Sequence, residues 1–359
     1  MKPVVLARCL AATMVLAAGM PALAADAYEV VASGLHSPRG LAFGPGGRLY
    51  VGEAGLGSTT GSPSFTSAIV EIRDPGSASP SIRRVVTGLP SIGAPGDVVG
   101  VDGVFAFGNG GIYAIVAISR EAIGLPDSLF GALLKVTASG QRRAVANVGT
   151  VGWEFTGAHP ELDPGEQFPD ANPYGVLAIP GRVFVVDAGA NTLNEVLPDG
   201  SVRVLAYFPN TALADATPTC VVQGLDGALY VGTLALVDSI VFGPSAIVYR
   251  VDLNDVNPDD LSTTLSVAQP WATGLWPING CAASPDGNIY VGQMFTHFDM
   301  APSGGDVVKI PQSDPGVHES LADDMLTWTG GVAVGNDGTV YAVNGTIFND
   351  GSVVRLTNR

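Results

Sequence analysis

The chain is short of positive charge. Its 359 residues include 17 Lys and Arg against 33 Asp and Glu, so the formal net charge at pH 7 is −16. Proteins that bind nucleic acid need basic surfaces to neutralise phosphates, and anionic membranes select basic segments for the same reason. We therefore expect no nucleic-acid partner and no attraction to an anionic membrane surface.

Long apolar runs are also missing, except at the N-terminus. Lys2 and Arg8 precede an apolar stretch that ends at Met20, and Ala22-Leu23-Ala24 follows with small residues at alternate positions. This order is typical of a cleaved secretory signal, whereas a membrane anchor needs about 20 apolar residues and no cleavage site. We predict a signal peptide over residues 1–24, cleavage near Ala24, and a periplasmic or extracellular protein with no membrane anchor.

The mature chain, residues 25–359, is predicted to form one domain. Loss of the signal removes Lys2 and Arg8 and no acidic residue, which moves the net charge from −16 to −18. Such a charge keeps a protein soluble without requiring a partner, and we expect a monomer.

Common catalytic motifs are absent. The sequence contains no G-x-S-x-G, H-E-x-x-H or P-loop pattern. The four histidines are scattered, and no two have the spacing of metal ligands; they are His36, His159, His297 and His318. These absences leave enzyme activity an open question.

What the chain does contain is glycine, proline and a repeat. The 47 Gly and 26 Pro, in a sequence that is 47% hydrophobic, favour short strands and tight turns over long helices. Six segments share a short apolar strand, a glycine-rich turn and a second strand centred on an aromatic residue. They are SPRGLAFGPGGRLYVGEAG (37–55), GDVVGVDGVFAFGNGGIYAIVA (96–117), NPYGVLAIPGRVFVVDAG (172–189), TPTCVVQGLDGALYVGT (217–233), INGCAASPDGNIYVGQ (278–293) and TGGVAVGNDGTVYAVNG (329–345).

The repeats predict an all-β fold, a six-bladed β-propeller. A third strand follows each hairpin and a fourth follows the first five, but the sixth repeat lacks its fourth strand. The N-terminal segment YEVVASGL (28–35) resembles the fourth strand RRVVTGL (83–89) of the first repeat. We therefore predict that residues 28–33 pair with residues 353–356 in the last blade, which closes the ring and covers its edges. A β-solenoid is the alternative, but it would not need the N-terminal strand.

The order of these motifs resembles a known family. The segments GLHSPRGLAFGPGGRLYVGEAG, RRVVTGLP and DANPYGVLAIPGRVFVVDAGAN look like the ScyD/ScyE family of exported propeller proteins. The likeness covers nearly all of the mature chain; Gly46, where an Asp is usual in the first turn, and the cysteines of repeats four and five depart from it. The resemblance implies a six-bladed propeller related to NHL repeats. It implies no settled activity, because the family as a whole lacks one.

Polar residues at strand ends form the candidate site. In an antiparallel blade, the start of the first strand and the end of the second lie on the same face. Both positions are polar in most repeats, so we expect these side chains to ring the mouth of the central channel. The candidate ligand-binding residues are Glu53, Asp187, Asn172, Tyr174, Arg39, Gln293 and Asn344.

Two interpretations of this ring stay open. Glu53, Asp187 and Asn172 carry the oxygen ligands that Ca²⁺ prefers, which predicts a Ca²⁺-dependent hydrolase or lactonase with its site at the channel mouth. The same side chains are also suited to solvating strand ends and capping turns. Our main hypothesis for the function is an exported binding or assembly protein that takes a small polar molecule or a protein partner on the propeller face, and the Ca²⁺-dependent enzyme is the alternative. Ca²⁺ is the one cofactor that the sequence suggests.

The cysteines and the longer connections complete the expectations. Cys9 leaves with the signal, and export permits a disulfide between Cys220 and Cys281. Their register differs by one residue, which puts their side chains on opposite faces of the pleat, so we expect two free thiols. The connection 149–171 is acidic and aromatic, and loops of this length are usually functional or disordered.

Overall fold

The computed structural model describes residues 28–108, 111–137, 139–162, 169–299, 302–322 and 324–357. The predicted signal peptide and its cleavage site lie outside these residues.

Antiparallel four-stranded sheets, here called blades, follow one another along the chain. An N-terminal strand, β1 (Tyr28–Leu35), precedes them. Blade one contains β2 (Pro38–Phe43), β3 (Leu49–Glu53), β4 (Ser64–Arg73) and β5 (Ser81–Ser91). Blade two contains β6 (Val101–Ala106), β7 (Ile112–Val116), β8 (Ala132–Val136) and β9 (Arg142–Asn147). Blade three contains β10 (Pro173–Ile179), β11 (Arg182–Asp187), β12 (Thr192–Val196) and β13 (Val202–Tyr207).

The second half of the chain repeats the pattern. Blade four contains β14 (Pro218–Gln223), β15 (Leu229–Thr233), β16 (Ala246–Val251) and β17 (Gln269–Leu275). Blade five contains β18 (Ile278–Ala283), β19 (Asn288–Gln293), β22 (Asp306–Pro311) and β23 (Glu319–Ser320), with a small hairpin of β20 (His297–Phe298) and β21 (Pro302–Ser303) in its second loop. Blade six contains β24 (Val332–Val334), β25 (Val340–Asn344) and β26 (Gly351–Leu356).

Strand β1 completes blade six. The sheet order is β1-β26-β25-β24, and Tyr28 is paired with Leu356 and Val30 with Val354. The predicted six-bladed propeller, closed by its N-terminal strand, is therefore confirmed, and the solenoid alternative is wrong.

The turns explain why these segments form hairpins. The Asp-Gly pairs that join the first two strands of blades four, five and six place their glycines at positive φ, at Gly227 (79°), Gly287 (86°) and Gly338 (82°). Glycine accepts this conformation without steric cost, and it matches the twist of the flanking strands.

The core lies between the blades. Six clusters of buried apolar residues each join two neighbouring blades, and together they cover every interface of the ring. In the second strands, the predicted aromatic position contributes to these clusters, as with Phe184 and Tyr230, which are buried. Each blade is thus stabilised by its two neighbours rather than by one central core.

Three of the longer connections contain helices. They are α1 (Val148–Ala158), α2 (Leu236–Phe242) and α3 (Leu261–Ser266). The Asn147 side chain caps α1 by accepting a hydrogen bond of 2.8 Å from the Thr150 backbone N–H, so the first part of the expected loop 149–171 is a helix. Phe168 of that loop lies outside the described residues. Among the helices that the structure describes, none has the length and apolar character to span a membrane.

Cys220 and Cys281 form a disulfide with a Cα–Cα distance of 5.7 Å. The expectation of two free thiols is therefore wrong. Neighbouring blades pack face to face, so two side chains that meet between them come from opposite faces of their sheets. The one-residue difference in register, which seemed to separate the cysteines, is what brings them together.

Candidate functional site

The innermost strands of the six blades surround a cavity of about 270 Å³. Each innermost strand contributes a short stretch to its wall. These stretches are 40–43, 102–105, 174–177, 219–223, 279–283 and 331–334. The cavity is therefore the central channel of the propeller, the usual type of place for a concave ligand site.

Glycines at equivalent positions of the innermost strands, here called the ring positions, let these strands approach each other closely. A Cβ atom added to Gly103 would lie 2.3 Å from the Tyr174 carbonyl oxygen of the next blade, and one on Gly175 would lie 2.5 Å from that of Thr219. Gly40, Gly280 and Gly331 meet neighbouring backbone in the same way. In blade four the equivalent residue is Cys220, and the disulfide to Cys281 joins the strands there.

The residue before each ring position lies at one end of the channel, and those of blades two to five line the cavity there. These residues, here called the floor, are Arg39, Asp102, Tyr174, Thr219, Asn279 and Gly330. In blades one to five the strand pairing shifts by one residue at this point, so the floor residue is the extra residue of a β-bulge. Bulges re-aim side chains, which explains how polar residues on innermost strands reach the channel axis.

The floor residues contact one another across the channel. The Tyr174 hydroxyl donates to Asn279 Oδ1 at 2.8 Å, which links blades three and five. Arg39 Nη2 donates to the Val98 carbonyl at 2.7 Å, and its Nε lies 4.0 Å from Asp102 Oδ1. The floor thus brings polar groups from blades one, two, three and five together at this end of the channel.

Three buried polar atoms of the floor have no hydrogen-bond partner among the described residues. They are Arg39 Nε, Asp102 Oδ1 and Asn279 Nδ2, on side chains whose residues are 8%, 3% and 5% exposed. These atoms have essentially no accessible surface, so they lie behind the cavity surface; Arg39 Nε and Asp102 Oδ1 face each other there as a buried ion pair.

Burial also changes the pKa values of two floor residues, Asp102 and Tyr174. It raises the pKa of Asp102 to about 6, although the positive charge of Arg39 opposes the shift. Burial likewise raises the pKa of Tyr174 to about 12, so its hydroxyl stays protonated. Near pH 8 the floor therefore holds one ionised carboxylate and one guanidinium, and the exposed carboxylate of Asp97 acts on both.

The opposite end of the cavity is the more open one and is mostly apolar. Phe43, Phe105, Ala283 and Val334 are half-buried there, and Gln223 is the polar member of the group. Between the two ends the wall consists mainly of Val, Leu and Ala side chains. The cavity thus combines a polar floor with apolar walls and an apolar mouth.

Of the predicted site residues, Tyr174 lines the cavity, and Arg39 lies next to the lining residue Asp102 without being one of the described residues that line the cavity. Glu53, Asp187, Gln293 and Asn344 are not among the described residues that line the cavity. Each accepts a hydrogen bond from a backbone N–H in the segment that enters its own blade. The donors are His36 (2.9 Å), Asn172 (2.6 Å), Trp276 (2.7 Å) and Thr327 (2.7 Å), respectively. These four side chains cap the crossovers between blades.

The three residues suggested for Ca²⁺ do not fit a shared ion. Glu53 is fully buried and accepts two hydrogen bonds of 2.7 Å from Arg84, besides the one from His36. Asn172 Oδ1 accepts from the Ile118 backbone N–H at 2.8 Å. Because Ca²⁺ takes six to eight oxygen ligands, side chains that are already occupied by protein donors make a poor site. Among the described residues, no group of three or more His, Cys, Asp or Glu is arranged to hold a metal ion.

Asp187 differs from the other caps. Its Oδ1 also accepts from the backbone N–H groups of Gly189 and Ala190, whereas Oδ2 has no partner among the described residues. Burial raises its pKa to about 7, against the effect of these backbone donors. It is a buried structural carboxyl beside α1, away from the channel.

Asp102 was missed by reasoning on the sequence, and the repeat contained the signal. Asp102-Gly103 stands in blade two where Arg39-Gly40 stands in blade one and Tyr174-Gly175 in blade three. Aligning the residue before each ring glycine groups these floor positions across the repeats, except in blade four, where Cys220 replaces the glycine. Polarity at strand ends does not by itself distinguish the floor residues from the side chains that cap the crossovers between blades.

Comparison with known proteins supports the fold and no more. No family model matches the sequence, and no curated protein matches it. Solved structures with the same six-bladed fold include a putative oxidoreductase (glucose dehydrogenase) from Thermus thermophilus, which is 14% identical, covers 92% of this chain and 99% of its own, and has a TM-score of 0.54.

Two others have similar scores. The calcium-binding protein regucalcin from Agrobacterium tumefaciens is 14% identical, with coverage of 93% and 94% and a TM-score of 0.52. A luciferin-regenerating enzyme is 13% identical, with coverage of 92% and 95% and a TM-score of 0.51. At such identities the likeness establishes a six-bladed propeller and leaves the function to the site itself.

Proposed function

We propose that this protein is an exported small-molecule-binding protein of the ScyD/ScyE type and that its ligand site is the central cavity. The observation that carries the proposal is a cavity on the channel axis that has apolar walls and the polar residues Asp102, Tyr174, Thr219 and Asn279 at one end. A few placed polar groups in an otherwise apolar concavity are the usual composition of ligand sites. Export and the family assignment rest on the N-terminal sequence and on the order of the repeat motifs.

A fluorescent apolar probe tests the cavity directly. N-phenyl-1-naphthylamine should bind with enhanced fluorescence at one site per chain. Ala283→Trp places a bulky side chain at the half-buried mouth and should abolish this binding, whereas the matched variant Ala283→Ser should retain it. Thermal unfolding of both variants checks that the fold is kept. Binding that is unaffected by Ala283→Trp would show that the cavity is not the site.

The alternative, a Ca²⁺-dependent hydrolase or lactonase, stays a prediction with its own test. The experiment is calorimetric titration of CaCl₂ into the chelator-treated protein, followed by the same titration into Asp187→Ala. Our proposal expects no stoichiometric binding that depends on this carboxylate. Firm binding of one Ca²⁺ that is lost in Asp187→Ala would favour the enzyme.

A further inference from the structure

We infer that the cavity recognises its ligand through main-chain N–H and C=O groups on the edges of the innermost strands, and that it thereby selects small uncharged amides, such as cyclic dipeptides. This inference rests on the proposed function, since it names the class of ligand for the same cavity.

The first step is the position of the innermost strands. β2, β6, β10, β14, β18 and β24 each stand at one end of the strand order of their sheet, so each pairs with a neighbour on one side only. The other edge of each strand faces the channel, and an unpaired strand edge presents a row of N–H and C=O groups. The cavity wall therefore contains main-chain polar groups besides its apolar side chains.

The second step identifies these groups in blade five. In an antiparallel pair, successive residues direct their N–H and C=O groups alternately towards the partner strand and away from it. The Ser284 N–H donates to the Asn288 carbonyl at 2.9 Å where the hairpin turns, which fixes the phase of this alternation. The main-chain groups of Ala282 therefore point to β19, and those of Cys281 and Ala283 point into the channel.

The same phase holds around the ring. Blades one, two, four and six have the equivalent hydrogen bond at the turn, and in blade three Gly175 pairs with Val186 as Gly280 pairs with Gly292. The innermost strands of different blades belong to separate sheets and do not pair with each other. The residue after each ring position therefore directs its N–H and C=O groups into the channel, and all six of these residues line the cavity. They are Leu41, Val104, Val176, Val221, Cys281 and Val332.

The third step is charge. Main-chain N–H and C=O groups come in equal numbers and carry no net charge. The described residues that line the cavity include no Arg, Lys, His or Glu, and Oδ1 of their one Asp, Asp102, lies behind the surface and faces Arg39. An anion would thus meet no positive charge on the wall, and a cation would meet only a carboxylate that already has a partner. Because burying an unpaired ion is costly, the lining favours an uncharged ligand.

The fourth step is the pattern of donors and acceptors. A residue on a strand edge offers one donor and one acceptor on the same side, and within a sheet it exchanges both with the residue opposite. A lactam amide also carries its N–H and C=O side by side, so it can exchange both hydrogen bonds with one edge residue. A cyclic dipeptide has two such amides on opposite sides of a compact ring, and apolar side chains on that ring suit the Val and Leu side chains of the wall.

A matched series of competitors tests the class of ligand. Cyclo(Leu-Leu) is uncharged and has two N–H donors, its N,N′-dimethyl derivative has none, and linear Leu-Leu has the same side chains with a charge at each end. Cyclo(Leu-Leu) should displace N-phenyl-1-naphthylamine about ten-fold or more tightly than either of the others, because each of them loses hydrogen bonds or buries charge. Equal or tighter binding of the dimethyl derivative or of the linear dipeptide would overturn the inference.

Two further outcomes separate this inference from the proposed function. Cyclo(Leu-Leu) that does not compete, while the probe remains bound in the cavity, would overturn the inference and leave the cavity as a site. Failure of the probe itself to bind would instead contradict the proposed function.

Proline substitution tests the main-chain contact without a change of charge. Proline lacks the N–H and is tolerated on a strand edge where that N–H is outside the ladder. Val332→Pro is compared with the wild type, and Ala283→Pro with Ala283→Val, so that each pair has side chains of similar size. At one or both positions the proline variant should bind cyclo(Leu-Leu) about five-fold or more weakly than its control. Equal affinities within both pairs would overturn the inference.

The alternation itself has a test that needs no ligand. Ala282 pairs with Tyr290 and directs its N–H into the ladder, so Ala282→Pro should unfold at a clearly lower urea concentration than Ala283→Pro. The reverse order of stabilities would show that the main-chain groups of Ala283 do not face the channel, and the inference would fail.

Discussion

Glu53 and Arg84 form an ion pair whose two partners differ sharply in exposure. The Glu53 side chain is 0% exposed and that of Arg84 is 39% exposed. Water can therefore solvate Arg84 when its partner is lost, but it cannot reach Glu53. Glu53→Gln should lower the free energy of unfolding by about 1–3 kcal/mol. Arg84→Ala should cost more, about 3–5 kcal/mol, because it leaves a buried charge without its partner. Urea unfolding of the two variants measures the difference, and equal costs would mean that the carboxylate reaches solvent.

Asp187 should make stability depend on pH. Its pKa is raised by burial from 3.8 to about 7, so between these values the folded protein holds a proton that the unfolded chain has released. Stability contributed by this proton is complete below about pH 4 and is lost as the pH rises towards 7, by at most about 1.4 kcal/mol per pH unit. Asp187→Asn retains an oxygen for the backbone donors and does not titrate. The variant should therefore gain stability relative to the wild type as pH rises from 4.5 to 7.5 in urea titrations. A difference that is constant across this range would contradict the raised pKa.

At the scale of elements, the disulfide joins the innermost strands β14 and β18. Cys220 on β14 holds the one ring position that is not glycine, and its partner Cys281 on β18 follows the ring position of blade five. The bridge spans 61 residues, and cross-links of this kind typically contribute about 2–4 kcal/mol, chiefly by restricting the unfolded chain. The double variant Cys220→Ser/Cys281→Ser should lose about this amount, and wild-type protein treated with a reductant should unfold at the same urea concentration as the variant. Thiol titration of denatured, unreduced mature protein should find no free thiol. Two free thiols would show that the bridge does not form.

Elements also show where prediction from the sequence succeeds and where it stops. The hairpins could be predicted because Asp-Gly turns and an aromatic second strand act locally and recur in register. Helix α1 was not expected, since its glycine-rich sequence has weak helix propensity and depends on the Asn147 cap and on packing against blade three. The disulfide was misjudged because single-strand register says nothing about how two blades face each other. The floor positions can be aligned in the repeats, but the direction of their side chains depends on the β-bulges, which are visible only once strands are paired.

At the scale of the whole molecule, ring closure through β1 should dominate stability. Deleting residues 28–35 removes the outer strand of blade six, including the buried side chains of Val31, Ala32 and Leu35. The deletion also exposes the edge of β26. The truncated protein should no longer show a cooperative thermal transition at the melting temperature of the full-length protein. The control is Val30→Ser on the exposed face of the same strand, which should change the free energy of unfolding by only about 0.5 kcal/mol. A truncated protein that melts like its parent would show that the closure contributes little.

The pairing of Tyr28 with Leu356 also fixes an order of events in time. A ribosome releases β1 before the other strands of the ring and β26 after them, so the first strand has no partner until the rest of the ring has been made. Earlier blades lack a closed ring to pack in, and contacts between distant parts of the chain form slowly. A nascent chain built in this way stays open throughout synthesis. We propose that this protein is exported. Late closure then leaves the polypeptide without a closed ring while it crosses the membrane, and the ring closes after export.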